Sequence, residues 1–282
     1  MTGTLHVVAT PLGHLGDLSP RAQATLVHSA LIACEDTRRT AKLLAHFGFD
    51  VPLVPLHKFS ERQRLDEVLE VLRRGDDVSL VSDGGTPAIS DPGALLVAAA
   101  HAAGIRVSPV PGPSAVVAIL SAAGLPADRF VFDGFLPARA GERRNRLRAL
   151  AKEERTVVVY EAPHRAKASL EDMAEVLGKR EVVLGRELTK IYESILRGSA
   201  QDVLAGLGEG DVKGEIAIAF AGYDPASAVG DAASDTLEDT WKEALAAEAG
   251  NEHAALKAAA RQLGIKKPEL RRRLAELGLV RD

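Results

Sequence analysis

Val78-Ser79-Leu80-Val81-Ser82-Asp83-Gly84-Gly85-Thr86-Pro87-Ala88-Ile89-Ser90-Asp91-Pro92-Gly93 is an apolar, β-branched run that breaks into a loop of small and turn-forming residues. Val78–Ser82 reads as a strand, and Pro92–Ala103 beyond the loop carries helical spacing. The loop uses the theme Ser-Asp-x-Gly twice. Gly84 and Gly85 permit positive φ and let a ligand approach the backbone. Asp83 is suited to accept hydrogen bonds from a ribose or an amino group, and Asp91 is expected to cap the helix that opens near Pro92. Two aspartates with no third acid at suitable spacing do not build a divalent metal site, so no metal is expected.

The same strand–loop–helix grammar extends on both sides. Leu5–Ala9, Leu31–Glu35 and Val107–Val110 read as further strands, and Pro20–His28, Thr37–Phe47 and Ser60–Arg74 as helices. Such alternation implies a parallel sheet covered on both faces, with function gathered at the carboxyl ends of the strands. A second α/β unit follows, with strands Thr156–Tyr160 and Val182–Leu184 around the helix Ala166–Leu177. Ile191–Leu196 and Ile216–Ala221 read as further strands whose close spacing suggests hairpins and a mixed sheet. The expected class is therefore α/β, with two α/β domains over residues 1–120 and 121–223. Residues 224–239, rich in Ala, Asp, Ser and Gly, read as a flexible acidic linker. Trp241–Ala249, Glu252–Gly264 and Lys267–Leu277 read as three short helices of a C-terminal module, residues 240–282.

Bulk properties narrow the chemistry. The chain has 282 residues, 46% hydrophobic and 26% charged, as in ordinary globular proteins. Aromatic residues are only 4% and the net charge is −4, so neither base stacking on exposed rings nor wholesale electrostatic capture of nucleic acid is the main device. The lone cysteine, Cys34, lies in an apolar run and reads as a core residue; it rules out an internal disulfide framework. The start shows no signal peptide and no apolar stretch is long enough to span a bilayer, so a cytoplasmic protein without membrane contact is expected.

Five further loops carry polar text at strand ends. Thr10-Pro11-Leu12-Gly13 sits where a dinucleotide-binding fold would place its glycine-rich turn, but Pro11 has no N–H to offer a phosphate. Pro11 and Leu12 make either a plain tight turn or an apolar rest for an adenine or thioether. Glu35-Asp36-Thr37-Arg38-Arg39 either caps the next helix or turns a carboxylate toward the cleft, with Arg38 and Arg39 available for phosphate. Pro111-Gly112-Pro113-Ser114-Ala115 opens a helix whose small residues allow close packing. Tyr160-Glu161-Ala162-Pro163-His164-Arg165 and Gly185-Arg186-Glu187-Leu188-Thr189-Lys190 end strands of the second unit and are expected to face the cleft.

Taken in order, these segments resemble the tetrapyrrole methylase superfamily, and within it the branch that methylates the ribose 2′-hydroxyl of a cytidine in small-subunit (16S) ribosomal RNA. The resemblance runs from Thr4 to Tyr223 and rests on Val8–Gly13, Glu35–Arg38, Ser82–Gly93, Pro111–Ala115, Tyr160–Arg165, Arg186–Lys190 and Lys213–Glu215. It implies two domains of the tetrapyrrole methylase type with S-adenosylmethionine in the cleft between them, a homodimer, and ribosomal RNA or the small ribosomal subunit as partner. Carried over residue by residue, the cofactor positions are Leu12, Ser82, Asp83, Gly84, Ile89, Ser114 and Ala115, with Tyr160 and Glu161 closing the site. The general base is sought among Asp83, Glu161, His164, Glu187 and Lys190, which no spacing argument separates. A carboxylate of Glu161 or Glu187 is favoured, with Lys190 and Arg38 holding phosphates and His164 and Arg165 beside the RNA. Two basic runs are candidates for RNA contact: Arg139–Arg155, interleaved with glutamates, and the purer triplet Arg271, Arg272 and Arg273. The rival readings are a corrinoid or porphyrinogen C-methyltransferase on the same fold, and a catalytically silent ribosome-assembly protein that binds no S-adenosylmethionine.

Overall fold

The computed structural model describes residues 2–57, 61–224, 237–248 and 251–280. The chain forms two compact units, Met1–Gly222 and Tyr223–Asp282.

The first sheet is built from β1 (Thr4–Val8), β2 (Leu31–Cys34), β3 (Leu53–Pro55), β4 (Val78–Val81) and β5 (Arg106–Val110). Their order is β3-β2-β4-β1-β5, and every pairing is parallel. Strands covered on both faces need apolar residues on both, and each delivers them. Leu5, Ala33, Val78 and Leu80 pack with α3 (Glu61–Arg73) and α4 (Ala94–Ala102), whereas Val8, Ile32, Cys34 and Val81 pack with α1 (Pro20–His28) and α2 (Thr37–Phe47). The α1 and α2 helices match their expected bounds residue for residue because their signals are local. Ser19 caps α1 by accepting from the Ala22 N–H ahead of Pro20, and Asp36 caps α2 by accepting from the Arg38 N–H. The N-terminal end of the helix expected over Ser60–Arg74 falls partly outside the described residues.

Helix α5 (Ala115–Ala123) leads into the second sheet: β6 (Phe130–Phe135), β7 (Thr156–Glu161), β8 (Glu181–Arg186), β9 (Ser194–Ser199) and β10 (Ile216–Phe220). Their order is β6-β7-β10-β8-β9, parallel between β6 and β7 and antiparallel elsewhere, hence mixed as expected. Helices α6 (Ala140–Leu150), α7 (Ala166–Leu177) and α8 (Ala200–Gly206) cover one face and α5 covers the other. Because α5 packs on β7, β8 and β10, a boundary at residue 120 runs through it.

Two strand expectations need correction. The strand expected over Ile191–Leu196 begins only at Ser194, since residues 187–193 form the turn of the β8–β9 hairpin. Strand β10 makes no hairpin with β9; it inserts between β7 and β8, and α8 spans the gap.

Most of the linker expected over residues 224–239 lies outside the described residues; its last three residues belong to a helix over residues 237–247, here α9. With α10 (Glu252–Gln262) and α11 (Lys267–Glu276) it closes a small core around Trp241, Ala255, Leu256, Leu270 and Leu274. Among the described residues, no helix is long and apolar enough to cross a membrane.

Candidate active site

The loops at the carboxyl ends of the first sheet are stitched together by backbone hydrogen bonds. Thr10 and Gly85 exchange both, at 2.9 Å each, and the Thr86 hydroxyl donates to the Pro113 carbonyl at 3.1 Å. This closeness demands glycine. A Cβ on Gly84 would lie 3.2 Å from the Pro11 carbonyl oxygen and 3.6 Å from the Leu12 Cα, and Gly85 has φ +88°. Ala88 and Ser90, flanking Ile89, also hold left-handed φ of 66° and 67° without being glycine, a strain of about 1–2 kcal/mol each.

The cap expected from Asp91 is supplied from elsewhere. Glu61, buried at the start of α3, accepts from the N–H groups of Gly93, Leu95 and Leu96 at 3.1, 2.9 and 3.1 Å. This anchors the end of the loop and leaves the Asp91 carboxylate facing a cavity.

That cavity, about 380 Å³, is where the separate loops meet. Leu12, Asp83, Gly84, Ile89, Ser114 and Ala115 line it from the first sheet's loops, and Tyr160, Glu161, Gly185 and Leu188 from the second sheet. Seven of the eight expected cofactor positions therefore converge. Ser82 does not: it is buried and lines an adjoining groove instead. Ser114 begins α5 without using its side chain as a cap. Tyr160 packs edge-on against Phe132 and Phe135, at ring-centroid distances of 4.9 and 5.5 Å, and burial pushes its phenol up to about 12.

Glu35, Asp91 and Glu215 also line the cavity, with Arg39 the one cationic side chain in its wall among the described residues. The resemblance assigns none of these to the cofactor, although Glu35, Asp91 and Glu215 stand within the segments Glu35–Arg38, Ser82–Gly93 and Lys213–Glu215 that carry it. Burial raises Asp83, whose carboxylate accepts from the Asp36 N–H at 3.0 Å and pairs with Arg39 at 3.5 Å. Glu35 is raised by burial and by the charge of Asp83. Asp91 rises to about 6 through burial, then the charge of Glu35, with the nearby Ser82 hydroxyl offsetting part of it. Like charges held together in a partly desolvated site resist full ionisation and welcome a cation. Among the described residues, no cluster of His, Cys, Asp and Glu is arranged to hold a metal.

The favoured base candidates are otherwise engaged. Glu161 has both carboxylate oxygens occupied: Oε1 accepts from the Ala162 N–H at 2.7 Å and pairs with Arg165 at 2.6 Å, and Oε2 accepts from the Ser169 hydroxyl. Burial pushes Glu187 up, but its bonds to Lys190 and the Glu215 N–H, at 2.9 and 2.8 Å, hold it below the ordinary range. Neither Glu187 nor Lys190 lines the cavity. Instead Lys190 reaches Glu187 and Glu215 and lies over Gly13, where a Cβ would meet its Cγ at 2.1 Å. The Thr189 hydroxyl accepts from the His14 N–H at 3.2 Å, so this segment clamps the proline loop. Its turn depends on positive φ at Glu187 (53°) and Thr189 (66°).

The expected RNA contacts divide similarly. His164 is exposed, but Arg165 is turned inward onto Glu161, and Arg38 pairs with Asp36 at 2.8 Å while remaining 86% exposed. In the Arg139–Arg155 run, Arg143 and Arg144 both serve Asp172, Arg146 serves Asp133 and Arg155 serves Glu153. That run is largely structural. Arg272 pairs with Glu269 and Glu276, and Arg273 with Glu269. Consecutive residues 100° apart around α11 cannot converge on one phosphate.

The family model for Tetrapyrrole (Corrin/Porphyrin) Methylases matches residues 4–204. "Ribosomal RNA small subunit methyltransferase I" of Xylella fastidiosa (strain Temecula1) is 52% identical over 223 residues, 78% of this chain and 82% of that protein. The protein of the same name from Pseudomonas aeruginosa is 55% identical over 194 residues, 68% of this chain and 69% of the relative. Among solved structures, the methyltransferase CobJ superposes with a TM-score of 0.60 at 21% identity, covering 78% of this chain and 95% of its own. A uroporphyrin-III C-methyl transferase from Thermus thermophilus, complexed with S-adenyl homocysteine, gives 0.54 at 19% identity, covering 77% and 96%. The chain belongs to the tetrapyrrole (corrin/porphyrin) methylases, and its relatives at about half identity carry the name ribosomal RNA small subunit methyltransferase I.

Proposed function

We propose that the protein is an S-adenosylmethionine-dependent methyltransferase that acts on a cytidine ribose 2′-hydroxyl of small-subunit ribosomal RNA. The observation that carries this reading is the convergence of the proline loop, the Ser82–Gly93 loop, the start of α5 and the end of β7 on one cavity, in a chain about half identical to proteins bearing that name. The residues present suit the cofactor. The cavity is within the roughly 300–1,000 Å³ usual for such ligands. Gly84 and Gly85 offer bare backbone, Leu12 and Ile89 offer apolar contact, and the acids favour a ligand carrying positive charge.

When bound, the cofactor supplies an already electrophilic methyl group on a cationic sulfur. The protein's task is then alignment, exclusion of water and removal of one proton. Ser114 and the backbone at Gly84 hold and orient the cofactor, and Tyr160 packed on Phe135 narrows the mouth. The 2′-hydroxyl proton goes to the Asp91 carboxylate, which lines the cavity, is raised to about 6 and is therefore mostly ionised, and ready to accept, at neutral pH. Glu161 acts through Arg165 as a positioning residue. The chain works in the cytoplasm as a homodimer, for which exposed Ile191, Tyr192 and Val117 supply apolar surface.

The test is a methyl-transfer assay on small subunits from cells lacking this modification, with the product mapped by reverse-transcription stops. One new 2′-O-methylcytidine is expected. Methyl incorporation into a porphyrinogen and none into RNA would refute the proposal.

A further inference from the structure

A groove of about 360 Å³ adjoins the cavity and shares Leu12, Arg39 and Asp83 with it. One wall is the proline loop from Thr10 to Gly13 with Leu15; the other is a face of α2. Arg39, Lys42, Leu43 and His46 stand at i, i+3, i+4 and i+7, so they share one side of that helix, while Thr40 and Leu44 are buried in the fold. Lys42 and His46 are exposed and Leu43 is half-buried.

The two spaces have opposite character. Among the described residues the cavity wall carries Glu35, Asp83, Asp91 and Glu215, and Glu161 with its partner Arg165, against Arg39, which pairs with Asp83 at 3.5 Å and Glu215 at 3.8 Å. The groove carries Arg39 and Lys42, with His46 beside them, against Asp83 alone. An acidic chamber next to a basic channel sorts a ligand by charge: the cationic group settles in one and the anionic group in the other. Apolar Pro11, Leu15 and Leu43 along the channel add contact surface for a sugar or base beside the phosphate. A ribose entering a chamber of this size must also leave its base pair, so the RNA arrives single-stranded, with its neighbouring nucleotide on the rim.

Resting on the function proposed above, we infer that this groove is a subsite for a single-stranded RNA nucleotide next to the methylated one, with Lys42 contacting its phosphate and Arg39 standing at the junction of the two spaces. The occupant is a phosphodiester rather than part of the cofactor, because Lys42 and His46 line the groove and not the acidic cavity, whereas Arg39 at the junction is held by Asp83 and Glu215.

Lys42→Ala tests this, since an exposed lysine on a helix is replaced without threat to the fold. Filter binding of the wild-type protein and of the variant to small subunits is measured from about 50 to 200 mM salt, alongside methyl-transfer kinetics and calorimetric titration with S-adenosylmethionine. Loss of one phosphate contact reduces the salt slope by about one, weakens RNA binding and raises KM several-fold, and Lys42→Arg restores both. Cofactor affinity stays at the wild-type value. An unchanged salt slope and KM overturns the inference, and so does weakened cofactor binding, which would make the groove part of the cofactor site. If the wild-type protein transfers no methyl to RNA, the proposed function fails instead, independently of Lys42.

Discussion

Replacing Asp91 with asparagine should make the protein more stable and much less active. The carboxyl rises from its ordinary 3.8 to about 6 because it is partly buried and faces Glu35, Asp83 and Glu215. A rise of about two pH units corresponds to about 3 kcal/mol at about 1.36 kcal/mol per unit, and water at the open side of the cavity reduces this to about 1–2 kcal/mol. The folded pKa is raised, so the ionised acid destabilises the fold fully above pH 6, progressively less toward pH 4, and not at all below it. Asparagine keeps the shape and removes the charge. The melting temperature at pH 8 should rise by about 2–4 °C per kcal/mol, with the gain vanishing near pH 4. If Asp91 takes the 2′-hydroxyl proton, kcat should fall by about 10²–10⁴-fold. The wild-type kcat/KM should drop about tenfold per pH unit below pH 6, and that limb should be missing from the variant. Differential scanning calorimetry and methyl-transfer kinetics on small subunits read both effects. A variant with kcat within threefold of wild type would refute the proton-acceptor role, and a lower melting temperature at pH 8 would refute the electrostatic account of the cavity.

Other perturbations separate scaffold from site. Glu61→Ala strips two buried N–H groups and one partly buried one of their acceptor and should cost about 3 kcal/mol in urea unfolding, with Glu61→Gln costing less because it keeps one acceptor. Gly185→Ala places a Cβ 2.7 Å from the Ile119 Cδ1 and 2.9 Å from the Leu188 Cδ2 at the cavity wall; a loss of about 1–3 kcal/mol in stability and weaker cofactor binding by calorimetry are expected. Reversing Arg272 and Arg273 to glutamate should lower RNA affinity and flatten its salt dependence without changing cofactor affinity; an unaltered salt slope would show that α11 takes no part in binding RNA.

The first sheet and its loops were legible because their signals are local: β-branched runs, Ser19 and Asp36 caps, and glycines where loops touch. Strand β6 was not, since Asp133-Gly134 interrupts it and its exposed edge position leaves no alternation to read. Strand β3 is three residues long and ends in Pro55, and α8 spans only seven residues. The cap of α4 comes from Glu61, 32 residues away from Gly93, and no local pattern announces such a partner. In the same way sequence spacing does not reveal the three partners of Glu161 or the pairing of the Arg139–Arg155 run with Asp133 and Asp172.

Whether the four converging loops hold one S-adenosylmethionine is read by calorimetric titration of the wild-type protein and of Gly84→Val with that molecule. The Gly84 Cα stands where any Cβ meets the Pro11 carbonyl at 3.2 Å, so the larger valine must part the two loops. One molecule should bind per wild-type chain, and binding should be at least tenfold weaker to a Gly84→Val protein whose circular dichroism is unchanged. Equal affinity in both proteins, or no binding to the wild type, would contradict it.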